Sequence, residues 1–335
     1  MADGTDAART RCAADTLWVV TAYFNPTHYR SRADNYAVFR AAIERSGLPL
    51  LTIECAFDAT DFTVPRSSDV IHVRSPDVLW QKERLLNLAI DRLPAACRYV
   101  AWVDGDTLFE NPDWAAETVQ MLDRYPVVQP FEGAVRLPRG CDTPARDAPA
   151  WRGFAAAQAV DTASLVAGDY RRHGETGLAW AARREVLAEV GLFDACVVGG
   201  GDHVIAHALC GDWASPCIGR LVGVDTPQLV RLQRWGRRAH ARVRGALGFV
   251  RGAVWHLWHG EPADRHYTAR HTALMAFGFD PATDIRISDS GCWEWASAKP
   301  DMHRWVADYF AARQEDGPAD PTQAPSVFAQ RTPAG

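Results

Sequence analysis

Val100-Ala101-Trp102-Val103-Asp104-Gly105-Asp106 is the stretch on which the reading of this chain turns. Tyr99 to Val103 is apolar without interruption and rich in β-branched and aromatic side chains, the pattern of a strand buried on both faces. It runs straight into two carboxylates separated by a glycine. Residues i and i+2 of an extended segment point the same way. Asp104 and Asp106 are therefore expected to reach one divalent cation, which would neutralise a bound diphosphate. The plain alternative is an acidic turn at a strand end.

Working outward, Leu17 to Phe24 is another apolar run and ends at the turn signal Asn25-Pro26. Helical spacing follows over Asp34 to Ser46. Leu48 to Phe57 and Asp69 to Arg74 read as strands, Asp77 to Leu93 as a helix, and Pro112 to Tyr125 as a helix capped by Asn111. Val127 to Leu137 looks extended. Alternating strands and helices predict an α/β fold, with a mixed, mostly parallel central sheet covered by helices on both faces. Ligands of such sheets bind beyond the carboxyl ends of the strands, which singles out Tyr23 to Pro26 and Asp104 to Asp106. Pro138 to Arg172 has weak periodicity and reads as a long loop with one short helix. Helices are expected over Ala182 to Val190, from near Asp202, from Gln228, over Asp264 to Phe277, and near Asp301 to Ala312. Residues 1–15 read as a flexible N-terminus, 16–313 as one domain, and 314–335, rich in Pro, Ala and Gln, as a disordered tail.

Composition is that of an ordinary globular chain: 335 residues, 47% hydrophobic, net charge −5. Basic residues concentrate only between Arg231 and Arg244, spaced as one face of a helix. That face is a solvated surface or a peripheral contact with an acidic acceptor or anionic membrane. Nothing points to a nucleic-acid partner. No apolar run is long enough to span a bilayer, and Met1 to Thr16 lacks the apolar core of a signal peptide. The 8 cysteines include no C-x-x-C pair, so a zinc ribbon is not expected, and several sit in apolar runs as small hydrophobes. A reducing, cytoplasmic location follows as the expectation.

Two further stretches carry chemistry. In Val254-Trp255-His256-Leu257-Trp258-His259-Gly260, imidazoles three apart would face opposite sides of a straight strand. They converge on a metal only if the chain bends, which Gly260 permits. The other is Gly199-Gly200-Gly201-Asp202-His203, followed by His207. Here Gly200 and Gly201 would allow a ligand close to the backbone. Asp202 is either a helix cap or a general base beside a sugar site.

With these residues in place the chain resembles a GT-A-fold glycosyltransferase. Its motif order is similar to that of the β-1,4-galactosyltransferases and, more distantly, the polypeptide N-acetylgalactosaminyltransferases. The resemblance runs from about Val19 to His259. Trp80-Gln81-Lys82-Glu83-Arg84-Leu85-Leu86-Asn87 is similar to the group's uridine-contacting F-N-R-A-K-L-L-N, and Asp104-Gly105-Asp106 to its metal-binding D-V-D. Gly177 to Leu187, ending in Gly191-Leu192-Phe193-Asp194, resembles its G-G-V-S-A-L-S-K-E-x-F-L segment. Gly199 to Asp202 falls at its W-G-G-E-D, and His256-Leu257-Trp258-His259 at its metal-binding M-x-x-H. This chain departs from the pattern with Trp for Phe and Lys for Arg in the uridine segment, Gly for the Trp of W-G-G-E-D, and longer intervals between motifs.

The resemblance implies a hexosyltransferase that uses a nucleotide-sugar donor, a UDP-sugar, and a glycan or other hydroxyl acceptor. Trp80 and Tyr23 would pack on the base, Asn25 would contact the donor, and Lys82 would touch ribose or phosphate. Asp106, His256 and His259 would hold the metal, with Asp104 on the metal or the ribose. Mixed carboxylate and imidazole ligation favours Mn²⁺ over Mg²⁺. Asp202, or else His203, would take the acceptor proton in an inverting displacement. Arg265 and Arg270 are spare diphosphate contacts or surface charges. The rival readings are a catalytically inactive nucleotide- or glycan-binding domain of the same fold, a D-x-D phosphatase, and a nucleotidyltransferase.

Overall fold

Each long apolar run becomes a strand of one sheet. The computed structural model describes residues 16–164 and 170–317; the expectations for 1–15 and for most of the tail lie outside these. In chain order the first half comprises β1 (Leu17–Phe24), α1 (Arg30–Arg45), β2 (Leu50–Phe57), β3 (Val70–Ser75), α2 (Lys82–Asp91), β4 (Tyr99–Val103), β5 (Thr107–Phe109), α3 (Trp114–Leu122), β6 (Val127–Gln129), β7 (Gly133–Arg136), β8 (Trp151–Arg152) and α4 (Phe154–Val160). Then follow α5 (Tyr170–His173), β9 (Ala179–Arg183), α6 (Arg184–Val190), α7 (Gly201–Leu209), α8 (Pro216–Val222), α9 (Pro227–Val243), β10 (Leu247–Phe249), β11 (Ala253–His256), α10 (Ala269–Ala276), β12 (Ile285–Ile287), β13 (Trp293–Trp295) and α11 (Pro300–Ala312).

Seven strands form the central sheet in the order β10-β6-β9-β4-β1-β2-β3. β1 lies parallel to β2 and β4, β2 to β3, and β6 to β10, while β9 runs antiparallel to β4 and β6. The sheet is thus mixed and mostly parallel, with helices on both faces, as the alternation of elements predicts. A smaller sheet, β5-β11-β7-β8, stands beside its carboxyl end.

The period of two divides each central strand between two cores. Val20 and Phe24 of β1, with Val100 and Trp102 of β4, join one cluster with Leu85, Leu86 and Val204. Leu17, Val19 and Tyr23, with Tyr99, Ala101 and Val103, join the other with Phe39, Ile43, Trp114 and Leu122. A strand that feeds two cores has no polar face, which is why these segments read as unbroken apolar runs.

Four expectations change. Helix 182–190 starts later, because Ala179–Arg183 is a strand in the middle of the sheet. Its alanines look helical in isolation, but their small side chains fit between the two buried layers while Trp180 fills the first core. The loop 138–172 holds the expected short helix, α4, but also the strand β8, and Phe154 and Ala155 of α4 are core residues. The expected tail begins too early: Glu315 is buried. Asn111 also does not cap its helix directly; Asp113 is the cap residue, and the Asn111 carboxamide accepts from the Asp113 amide. Half of the basic face of α9 is engaged internally. Arg231 and Arg238 donate to the carbonyls of Pro281 and Glu189, and Arg242 pairs with Glu185 and Glu189. Among the described residues no helix is long and apolar enough to cross a membrane.

Candidate metal centre and active site

The site begins where β4 ends. A turn closed by the Thr107 amide on the Asp104 carbonyl, at 3.1 Å, follows Val103. Because the chain turns here, Asp104 and Asp106 are not successive same-side residues of a strand, and their carboxylates go to different partners. β5 then pairs antiparallel with β11, Thr107 opposite His256. The Leu257 amide extends this ladder to the Asp106 carbonyl at 2.8 Å. That pairing carries the D-x-D turn to the distant His256-Leu257-Trp258-His259 segment.

Asp106 Oδ2 lies 3.4 Å from His259 Nε2 and 3.7 Å from His256 Nε2, and the two Nε2 atoms are 2.7 Å apart. One ligand atom from each of the three residues falls within 4.8 Å of the others. Burial works against ionisation of Asp106, yet the His259 and His256 rings hold its carboxyl well below the usual range. Burial, with Arg265 beside it, pushes His259 down to about 4. A carboxylate and a neutral imidazole are the forms that bind metal. Asp106 Oδ1 is buried with no hydrogen-bond partner among the described residues. The donor set, the protonation states and this orphaned oxygen fit a divalent cation of the manganese type.

A second layer comes from the chain's far end. Glu315 accepts from Arg32 at 3.1 Å, Arg265 at 3.2 Å and Arg313 at 2.5 Å, and its Oε2 is 3.8 Å from His259 Nδ1. Arg265 also contacts the His259 ring and carbonyl. Burial opposes ionisation of Glu315, but Arg32, His259 and Arg265 hold its carboxyl well below the usual range. Gly260, at φ +92°, permits the approach: a Cβ there would meet the Gln314 carbonyl at 2.9 Å. Its role is to admit this segment as well as to let the strand bend.

Across the sheet end, Lys82 Nζ sits 2.6 Å from both Asp104 Oδ1 and Asp202 Oδ2. Even residues of β4 face α2, so Asp104 is delivered to the first turn of that helix. Burial opposes the charge on Lys82, but Asp104 and Asp202 raise its pKa above the ordinary value. Burial pushes Asp104 up to about 6, with Lys82 pulling the other way. Glu83 is buried against the same group and is pushed up to about 8 by burial and by Asp202.

The remaining expected residues fall into place unevenly. Asp202 lies in the first turn of α7, whose cap is Gly200, so Asp202 is not the cap. His203 packs against His173 and His207, with ring centroids 4.9 and 4.4 Å away. Trp80 contacts Phe24 at 5.2 Å and lies under the Arg313 guanidinium at 5.1 Å. Tyr23, an odd residue of β1, faces the other core and packs on Tyr36 at 5.1 Å, so it does not meet Trp80. Asn25 spends its carboxamide on the Tyr29 amide and carbonyl, closing the turn after β1. Gly201 is buried and Gly200 half-buried. A Cβ at Gly200 would meet His271 at 2.9 Å, and one at Gly201 would meet Glu83 at 2.3 Å. Close packing of α7 on its neighbours, and at Gly200 a φ of +88°, account for these glycines. Arg270 donates to the Tyr309 hydroxyl at 2.6 Å and lies beside Gly199. In the uridine-like segment, Gln81 bonds the Trp293 backbone and Asn87 the Leu192 backbone, so both hold the fold together.

Sequence reasoning missed Arg32, Glu83, Arg313 and Glu315. Glu83 offered one signal, an acidic residue within a helix face otherwise buried. Glu315 offered none, because its surroundings are Pro- and Ala-rich.

No family model matches the chain, and no curated protein does. Among solved structures, the catalytic domain of Drosophila beta1,4-galactosyltransferase 7 in complex with xylobiose is similar at 11% identity, over 87% of this chain and 98% of that one, with a TM-score of 0.38. Glucosyl-3-phosphoglycerate synthase of M. tuberculosis is similar at 14% identity, over 89% and 93%, with a TM-score of 0.40. Mannosyl-3-phosphoglycerate synthase from Rubrobacter xylanophilus is similar at 12% identity, over 87% and 88%, with a TM-score of 0.38.

Proposed function

We propose that this protein is a metal-dependent glycosyltransferase of the GT-A type that moves a hexose from a UDP-sugar to a hydroxyl acceptor. The observation that carries the reading is the convergence of Asp106, His256 and His259 beyond the carboxyl end of β4, opposite the Lys82–Asp202 pair. Strand ends are where sheets of this kind bind ligands. The order of motifs along the chain supports the same reading.

Asp106, His256 and His259 would hold Mn²⁺, or Mg²⁺ in its place. When bound, the ion supplies charge neutralisation for the leaving diphosphate. Glu315, paired with Arg265 at 3.2 Å, is placed to hold that guanidinium against the His259 ring as an outer partner of the metal ligand. Arg32, Arg265 and Arg313 outnumber the single Glu315 charge they surround, which leaves positive potential for a diphosphate beside the metal centre. Trp80, with Phe24 behind it, offers the base an apolar wall. Asp202 removes the acceptor proton, giving inversion, and the Lys82 ammonium fixes its carboxylate together with that of Asp104.

A thermal-shift panel of nucleoside diphosphates and nucleotide sugars, each with and without Mn²⁺, tests this reading. Selective binding to the folded state raises the melting temperature. The expected result is a Mn²⁺-dependent rise with UDP that disappears in Asp106→Ala and His259→Ala. No Mn²⁺-dependent rise with any nucleotide would overturn the donor site. A rise without sugar transfer or donor hydrolysis would leave a binding domain instead.

A further inference from the structure

A second cluster of metal-ligating side chains lies outside this site. His203 and His207 are i and i+4 on α7 and share one face. His173 at the end of α5 and Cys217 in the first turn of α8 meet that face. One ligand atom from each of the four falls within 4.8 Å of the others, and all four residues are buried, His173, His207 and Cys217 at 0% exposure. We infer that His173, His203, His207 and Cys217 form a structural zinc site that ties α7, the helix carrying Asp202, to α5 and α8.

The donor chemistry selects the ion. Three imidazoles and a thiol with no carboxylate suit zinc, while magnesium, calcium and manganese prefer oxygen. Cys217 Sγ is 3.7 Å from His207 Nε2; tetrahedral zinc needs a sulfur–nitrogen separation of about 3.5 Å, given its bond lengths of about 2.3 and 2.0 Å. Four protein donors close a tetrahedron, and a closed, solvent-free site marks a structural ion rather than a catalytic one.

The next shell is arranged accordingly. His207 Nδ1 lies 2.7 Å from Asp212 Oδ2, the carboxylate–histidine contact that presents Nε2 to a metal. Asp212 is itself fixed by the Ser215 amide at 3.0 Å. His173 Nδ1 lies 3.1 Å from the Gly174 carbonyl, so the tautomer that donates there likewise offers Nε2. One thiolate and one nearby carboxylate balance the two charges of zinc, so the buried site is neutral overall. A nucleophilic role for Cys217 is excluded by its complete burial, since no substrate reaches it.

The test uses the full chain, expressed with zinc and purified without chelators. Mass spectrometry should find zinc that persists through gel filtration. Replacement by Co²⁺ should give a thiolate-to-cobalt charge-transfer band. The Asp106–His256–His259 centre contains no sulfur, so the band reports this site alone and is independent of the donor-site reading. Cys217→Ser should lose the band, and removal of zinc from the wild type should lower its melting temperature. Retained cobalt without a thiolate band, or a chain that holds no metal at all, would overturn the site. Both readings come from the wild type, so a variant that fails to fold does not blur them.

Discussion

The Leu257 amide donates to the Asp106 carbonyl at 2.8 Å, one rung beyond the pairing of β5 with β11. This backbone contact, with the β5–β11 pairing, holds the D-x-D turn beside the two histidines. The candidate metal centre is therefore positioned by the small sheet. Removing a ligand should empty the centre without unfolding the chain. Asp106→Ala and His259→Ala should abolish Mn²⁺-dependent nucleotide stabilisation while keeping a cooperative melt. Loss of the cooperative melt itself would mean the residues serve folding first.

In the proposed site Glu315 would act on the metal through Arg265 and His259. Glu315→Gln keeps the shape but removes the charge that holds Arg265 against the His259 ring. Mn²⁺ affinity should fall about 10–100-fold, the usual cost of losing such a partner. Titration calorimetry with Mn²⁺ and UDP reads this directly. An unchanged affinity would assign Glu315 to the arginine cluster alone.

Asp202 should matter to the chemical step more than to donor binding. Asp202→Asn is expected to lower kcat about 10²–10⁴-fold, the range for a general base. The dissociation constant for UDP with Mn²⁺ should stay within a few fold. A variant with normal kcat would move the base elsewhere and remove the case for inversion.

Burial, reinforced by Asp202, pushes the Glu83 carboxyl up to about 8. The fold then holds a proton that the unfolded chain releases near the ordinary value of about 4.3. This contribution to stability is complete below that value and is lost as pH rises through the folded value. Glu83→Gln carries no such proton. The variant's melting temperature, relative to wild type, should therefore rise between about pH 5 and about pH 9. A difference independent of pH would show that Glu83 is ionised in the fold.

Phe154 tests the segment that reads as a loop. It is fully buried and packs near Trp180 and His207, with ring centroids 6.3 and 5.3 Å away. Phe154→Ala should cost about 3–5 kcal/mol in urea unfolding, the range for a large aromatic removed from a core. A cost under about 1 kcal/mol would return the segment to the surface.

The sequence by itself determined the sheet and one half of the site. Leu17–Phe24 and Tyr99–Val103 are strands with the bounds their apolar runs predict, because a strand buried on both faces needs an uninterrupted hydrophobic stretch. Asp106, His256 and His259 were legible as candidate partners through the motif order that resembles a known family, and the fold brings one ligand atom of each within 4.8 Å of the others. Tertiary structure decided what no local pattern encodes. The turn at Gly105 sent Asp104 to Lys82 instead of to the Asp106–His256–His259 cluster, and strand parity turned Tyr23 away from Trp80. Packing of the last described residues beside Gly260 brought Glu315 under His259. Helix α7 met α5 and α8, so that Cys217 joined three histidines across separate elements. Hydrophobic periodicity is a property of neighbours along the chain and survives in the sequence. The meeting of distant polar groups depends on how finished elements dock, and only the folded chain holds that information.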